Sequence, residues 1–173
     1  MNLKFGTDGI RGPVESVVTP EACLKIGHAT GLVMKELGWN TVVIGKDTRI
    51  SGYMLESALQ AGFIAAGVNA RLLGPIPTPG VSRLTSSFRA DLGVMISASH
   101  NPSEDNGIKL FGPDGFKLED DIELEISNLL QGSISLAEPE SLGRAQRMID
   151  SVARYVEFAK AKFSPQLSLD SLK

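Results

Sequence analysis

Three short apolar runs, at 41–45 (TVVIG), 68–73 (VNARLL) and 92–97 (LGVMIS), punctuate a chain whose other apolar residues return every three or four positions. Runs this short and rich in aliphatic residues predict buried strands. Between 20 and 38 the recurring positions are Ala22, Ile26, Ala29, Val33 and Leu37, with Thr19 or Pro20 at the entry and Gly38 at the exit, which predicts a helix. A second helix is predicted over 51–66 from Leu55, Ala58, Leu59, Gly62, Ala65 and Ala66, with Ser51 as its N-cap. A shorter third runs from Thr78 to Phe88. Helix and strand in strict alternation predict crossover units packed on a largely parallel sheet, an α/β fold.

The second half departs from that order. Residues 107–111 (GIKLF) and 115–118 (GFKL), joined by Gly112-Pro113-Asp114, read as a hairpin. Helices are predicted at 119–130 and 149–163, the second with Ile149, Val152, Val156, Ala159 and Phe163 on one face, and 131–143 reads as an exposed loop. Neither an internal repeat nor a low-complexity segment occurs.

Length and charge narrow the function classes. At 173 residues the chain has room for one well-cored domain. Apolar residues make up 42% and charged residues 21%, the balance of a soluble globular protein. Seventeen Lys plus Arg against twenty Asp plus Glu leave a net charge of −3, spread along the chain, which argues against a nucleic-acid or membrane-surface partner. The single cysteine, Cys23, excludes an internal disulfide and a cysteine zinc site; its apolar helical surroundings predict a buried structural thiol. The opening MNLKFGTDGIRG has no charged-then-apolar signal plan, and no apolar run reaches the length of a membrane span. The expectation is a cytoplasmic protein.

Ligands of open α/β sheets gather where loops leave the carboxyl ends of strands. The loop after 92–97 reads Ser97-Ala98-Ser99-His100-Asn101-Pro102, either a capping turn or a catalytic loop. Ser99 and His100 are adjacent, so in an extended backbone their side chains diverge, and no G-x-S-x-G elbow is present. A Ser-His hydrolase is therefore disfavoured. His28, inside the first helix, reads as structural. The loop after 41–45, Gly45-Lys46-Asp47-Thr48-Arg49-Ile50-Ser51-Gly52, opens a helix and carries two cations suited to an anion, although Asp47 stands where a Walker loop needs Ser or Thr. Its alternative is a solvated turn. In Phe5-Gly6-Thr7-Asp8-Gly9-Ile10-Arg11-Gly12 the glycines allow close approach to a ligand and leave Arg11 as the strong charge. Lys109 lies among apolar residues in GIKLF, a setting for proton transfer or simply an outward-facing strand lysine.

Taken in order, FGTDGIRG at 5–12, GKDTRISG at 45–52, ISASHNP at 96–102 and NGIKLFGPDG at 106–115 resemble the first domain of the α-D-phosphohexomutase superfamily. The resemblance runs essentially the whole chain. It implies a three-layer α/β/α domain with a mixed, mostly parallel sheet. It implies that Ser99 is a phosphoserine that exchanges its phosphoryl group with a sugar phosphate through a 1,6-bisphosphate. The Ala98 between two serines is similar to the amino-sugar branch, so the implied substrate is a hexosamine phosphate, glucosamine 6-phosphate interconverting with its 1-phosphate. By the same resemblance Arg11 offsets charge at the transferring group, Lys109 moves protons, and His100 and Asn101 hold the loop and meet phosphate or substrate. Thr7, Lys46, Asp47 and Arg49 fall to the phosphate loops, and Mg²⁺ touches the Ser99 phosphate.

The superfamily has four domains, and its metal-binding D-G-D-x-D-R loop lies in the second. No such string occurs here. Residues 1–173 are thus expected to be one domain, a catalytic-serine module with the remaining domains of the same protein as partners and no significant turnover of its own. The alternatives are a mutase for glucose or mannose phosphates and a non-catalytic sugar-phosphate-binding domain.

Overall fold

The helix–strand alternation of the first half is realised with ends shifted by one or two residues in the computed structural model, which describes residues 3, 5, 6 and 8–163. The elements are β1 (Ile10–Pro13), α1 (Pro20–Glu36), β2 (Thr41–Lys46), α2 (Ser51–Ala65), β3 (Asn69–Pro75), α3 (Thr78–Ser87), β4 (Leu92–Ile96), β5 (Asp105–Phe111), α4 (Asp120–Leu129), β6 (Ala145–Arg147) and α5 (Ser151–Lys160). The strands form one sheet in the order β1-β5-β4-β2-β3-β6. Strands β4, β2, β3 and β6 run parallel, while β5 is antiparallel to both β4 and β1. This is the expected α/β class.

Period-two alternation in the strands builds two cores. Val42 and Ile44 of β2 enter a cluster with Ile26, Leu55, Leu59 and Phe63 of α1 and α2. Val43 points the other way, into a smaller cluster with Val81 and Leu84 of α3 and against Tyr155 of α5. Full burial of each Leu or Phe contributes about 1.5–3 kcal/mol. Helices α1 and α2 touch backbone to backbone: a Cβ on Gly27 would lie 2.4 Å from the Leu59 carbonyl oxygen, and one on Gly62 would lie 2.3 Å from that of Leu24. Thr19 caps α1 by accepting from the Ala22 N–H at 3.1 Å. Among the described residues no helix is long and apolar enough to cross a membrane.

Four expectations change. The hairpin is shorter than read: 107–111 is part of β5, between β4 and β1, and 115–118 returns on it through the single bridge Phe111–Lys117, closed by the Gly112 N–H on the Phe116 carbonyl at 2.8 Å and the Leu118 N–H on that of Leu110 at 3.1 Å. Lys117 is drawn instead to α4, where Asp120 and Glu123 hold its ammonium and raise its pKa. Ser51 begins α2 without capping it. The apolar stripe of 149–163 is the outer one; Ile149, Val152, Val156 and Phe163 stay exposed, while Ser151 and Tyr155 pack inward and Phe158 lies under Arg83. Strands β1 and β6 carry no apolar alternation, β6 being exposed at every position, and so escaped the pattern.

Cys23 is fully buried, and that burial pushes its thiol up to about 12, so it stays protonated and unreactive at neutral pH. His28 is buried too, its Nε2 lying 2.7 Å from the Ser135 carbonyl oxygen, which ties α1 to the 131–143 segment.

Candidate functional site

Strand β4 delivers Ser97, Ala98 and Ser99 to the carboxyl rim of the sheet. Ala98 turns into the core and Ser99 faces solvent. Ser99 takes φ = +56°, a left-handed conformation that costs a non-glycine residue on the order of 1 kcal/mol or more. Contacts from a second loop hold it there. The Ser99 N–H donates to Ser97 Oγ at 2.9 Å, and Ser97 Oγ donates to Asp47 Oδ2 at 2.7 Å. Arg49 donates to the Ser99 carbonyl oxygen at 3.1 Å and to those of Asn101 at 2.8 Å, Pro102 at 2.5 Å and Asp105 at 3.1 Å. Its Nε donates to Asp47 Oδ2 at 3.2 Å.

One guanidinium therefore gathers four carbonyls of the 99–105 loop onto the loop that follows β2. The planar fork of arginine suits this; a lysine ammonium has three donors on a point and cannot span them. Asp47 and Arg49 thus spend their charge on each other and on the backbone beside Ser99. The two loops singled out separately in the sequence act as one unit.

His100 Nδ1 lies 3.4 Å from Ser99 Oγ, a contact at the weak limit of hydrogen bonding. The expectation that the two side chains diverge assumed an extended backbone, and the left-handed turn at Ser99 removes that assumption. Asn101 closes the loop on itself, its N–H reaching the Ala98 carbonyl at 3.1 Å and its Nδ2 reaching Asp105 Oδ2 at 2.9 Å. Ser97, Ser99 and Asn101 join Asp47, Arg49 and Ile50 around an open cleft of about 810 Å³.

Lys46 corrects the sequence reading. It follows Val42 and Ile44 in strand parity, so its side chain runs under α2, fully buried, with Nζ 2.5 Å from Glu56 Oε2 and 4.5 Å from the centre of the Tyr53 ring. It supplies no charge to the loop. Thr7 lies outside the described residues.

Arg11 and Lys109 come from β1 and β5 and share one carboxylate. Asp8 Oδ2 is 3.8 Å from Arg11 Nη2, and Asp8 Oδ1 is 3.8 Å from Lys109 Nζ. Arg11 Nε is buried without a hydrogen-bond partner. Arg11 passes beside the Ser99 loop at Gly107, where a Cβ would lie 2.8 Å from Arg11 Cγ and 2.7 Å from the Ser97 carbonyl oxygen. Among the described residues no hydrogen bond or ion pair joins Ser99 Oγ to either cation, and Arg11 and Asp8 line a separate cleft of about 440 Å³. Gly107→Ala is accordingly expected to destabilise the chain by about 1–3 kcal/mol, since a methyl group must part β1 from β5 or displace Arg11. Urea unfolding of the variant against the wild type measures this.

Three residues of this arrangement lie within the strings singled out in the sequence but received no role there. Ser97 is the first polar residue after the apolar strand, a signal visible once the loop is known to turn back on it. Asp8 was hidden in a glycine-rich string. Asn106, which opens the fourth motif string, is fully buried; its Nδ2 donates to Ser51 Oγ at 2.8 Å and its Oδ1 accepts from the Gly107 N–H at 2.9 Å, joining β5 to the start of α2.

Mg²⁺ prefers an octahedral set of oxygens. Among the described residues no three His, Cys, Asp or Glu side chains come together as a metal cage. Asp47 is committed to Arg49 and Ser97, and Asp105 to Asn101. These residues do not by themselves fit the ion.

Comparison with known proteins gives consistent matches. A family model described as phosphoglucomutase/phosphomannomutase, alpha/beta/alpha domain I, matches residues 2–135. Phosphoglucosamine mutase of Methylorubrum extorquens (strain PA1) is 57% identical over all of this chain, which covers 40% of that protein. The protein of the same name from Methylobacterium radiotolerans is 59% identical over 98% of this chain and 38% of its own length. Among solved structures, a putative phosphomannomutase from Thermus thermophilus superposes with a TM-score of 0.83 at 28% identity, over 95% of this chain and 37% of that one. A phosphoglucomutase/phosphomannomutase family protein from Burkholderia thailandensis gives 0.79 at 26% identity, over 92% and 36%. The chain thus spans about 40% of the length of the curated relatives it matches.

Proposed function

This chain belongs to the phosphoglucomutase/phosphomannomutase family, matching its first α/β/α domain, and on that footing we propose that it is the N-terminal, phosphoserine-bearing domain of a cytoplasmic phosphoglucosamine mutase. Residues 1–173 make up that one domain, with the remaining domains of the same protein as partners. The reaction is the interconversion of glucosamine 6-phosphate and glucosamine 1-phosphate. The observation that carries this reading is Ser99 itself: an exposed hydroxyl on a strained turn, its carbonyl held by Arg49 of another loop and its N–H by Ser97, which Asp47 of that loop anchors.

Phosphoryl transfer asks a protein mainly for positioning and for charge neutralisation. The Ser99 O–P bond breaks as a bond forms between phosphorus and the free hydroxyl of the hexosamine monophosphate. Lys109, an ammonium at rest, gives its proton to Ser99 Oγ as that bond breaks and recovers one from the attacking hydroxyl. The resulting 1,6-bisphosphate turns end over end, and its other phosphate goes back to the serine with the proton movements reversed. Arg11 offsets charge on the equatorial oxygens, its Nε–H being buried without an acceptor in the resting protein. His100, beside Ser99 Oγ, meets the phosphate, while Asn101, Asp47 and Arg49 hold the loop that presents it. Mg²⁺ belongs to the proposal only as an ion that a phosphate on Ser99 would touch, since the described carboxylates form no cage for it.

The sugar is tested by comparing turnover of glucosamine 6-phosphate with that of glucose and mannose 6-phosphates in an enzyme carrying this chain. Glucosamine 6-phosphate is expected to win; a preference for either neutral sugar would move the assignment to a mutase of the kind named among the solved neighbours. The 173-residue chain assayed alone is expected to show no significant turnover.

A further inference from the structure

Two cations, Arg11 and Lys109, share a single carboxylate, that of Asp8. Gly6 and Gly9 exchange two backbone hydrogen bonds, each at 3.0 Å, and Asp8, beside Gly9, reaches residues of both β1 and β5. There each carboxylate oxygen faces a different cation, Arg11 and Lys109, at 3.8 Å. Both separations exceed the range of an N–H···O hydrogen bond, so the attraction is Coulombic and the cations' donors toward Asp8 remain unspent. The Asp8 side chain is 65% exposed, against 24% for Arg11 and 27% for Lys109. A loose pair that solvent reaches contributes little and exchanges easily. Arg11 adds a buried Nε–H with no acceptor.

We infer that Asp8 is an internal counter-anion, a carboxylate that keeps Arg11 and Lys109 side by side while no phosphate is present and yields them when one arrives. This rests on the reading that these cations meet phosphate. Without an anion between them the two positive charges repel. With Asp8 between them they stay together, but any phosphate must displace its charge, and the grip is correspondingly weaker. A site that must let a bisphosphate loosen and turn is served by such competition. Asp8 is thus a positioning residue that sets affinity from the protein side.

Inorganic phosphate titrated into the 173-residue chain tests this, with heat followed by calorimetry and the Arg11 Nε–H followed by NMR. Asp8→Asn is expected to tighten binding roughly fivefold, as removal of one screened unit charge at about this distance implies. Asp8→Ser is expected to do the same, which separates loss of charge from a new amide contact. Arg11→Gln is expected to abolish binding. A gain in affinity is not something a merely structural defect produces. Unchanged or weaker binding in both Asp8 variants, with Arg11→Gln still inactive, overturns the counter-anion role and leaves the phosphate site standing; so does tightening that does not reach the Arg11 signal. Phosphate binding that survives Arg11→Gln, or none in any variant, removes the underlying reading of Arg11 and this inference with it.

Discussion

Ser99→Ala, in an enzyme that carries this chain, is expected to lower mutase turnover by several orders of magnitude while leaving the fold intact. Loss of a covalent carrier removes the reaction path itself, which positioning elsewhere cannot restore. The nearest other hydroxyl offers no rescue. Ser97 Oγ accepts from the Ser99 N–H and donates to Asp47, so its proton and its position are already committed. The substitution removes only an exposed oxygen at a turn held by backbone contacts, so the Arg49 clamp on the loop carbonyls remains. A coupled assay on the purified variant, with circular dichroism as the folding control, measures it. Near-normal turnover would displace Ser99 from the chemistry.

Lys46→Met carries the largest expected effect on stability. The lysine is fully buried and its partner Glu56 nearly so, with Glu56 Oε1 already lacking a hydrogen-bond partner. Removing the ammonium leaves a carboxylate stranded in a low-dielectric layer between β2 and α2, a loss of about 3–5 kcal/mol. For a chain of 173 residues that corresponds to a fall in melting temperature of roughly 10 °C. The double variant Lys46→Met/Glu56→Leu is expected to regain most of it, because replacing a whole buried pair with apolar groups is often neutral. Thermal unfolding of the three proteins decides: an unchanged midpoint in the single variant would mean that the pair contributes nothing, and no recovery in the double would mean that the cost is one of packing.

The sequence was most legible where burial alone decides structure. Helices α1 and α2 and strands β2 and β4 declare themselves because their apolar spacing matches the face they bury. Strand β1 did not, since IRGP owes its place to antiparallel pairing with β5 and not to a face of its own. The 149–163 pattern misled for a related reason: the inward contacts of α5 use a hydroxyl on a carbonyl, Ser151 to Leu73, and arginine–aromatic stacking, neither of which registers as hydrophobic periodicity. At the site, motif order picked out two loops that the fold joins at one rim of the sheet, but not their wiring. Lys46 looked like a phosphate cation in a string with Arg49, yet strand parity sends it to the opposite side of the loop from its neighbours. Which of two adjacent cations turns inward depends on where β2 ends, and that boundary is set by tertiary pairing. Asp8 and Ser97 are legible only as partners of residues distant in sequence.

The most direct measurement is the location of phosphate on the protein. Intact-mass and site-localising mass spectrometry of the enzyme carrying this chain, recovered from cells and again after exposure to a hexosamine 1,6-bisphosphate, should find a single phosphate on Ser99, absent from the Ser99→Ala variant. A serine that stays bare after that exposure, or phosphate fixed on a different residue, would contradict a role for Ser99 as the phosphoryl carrier.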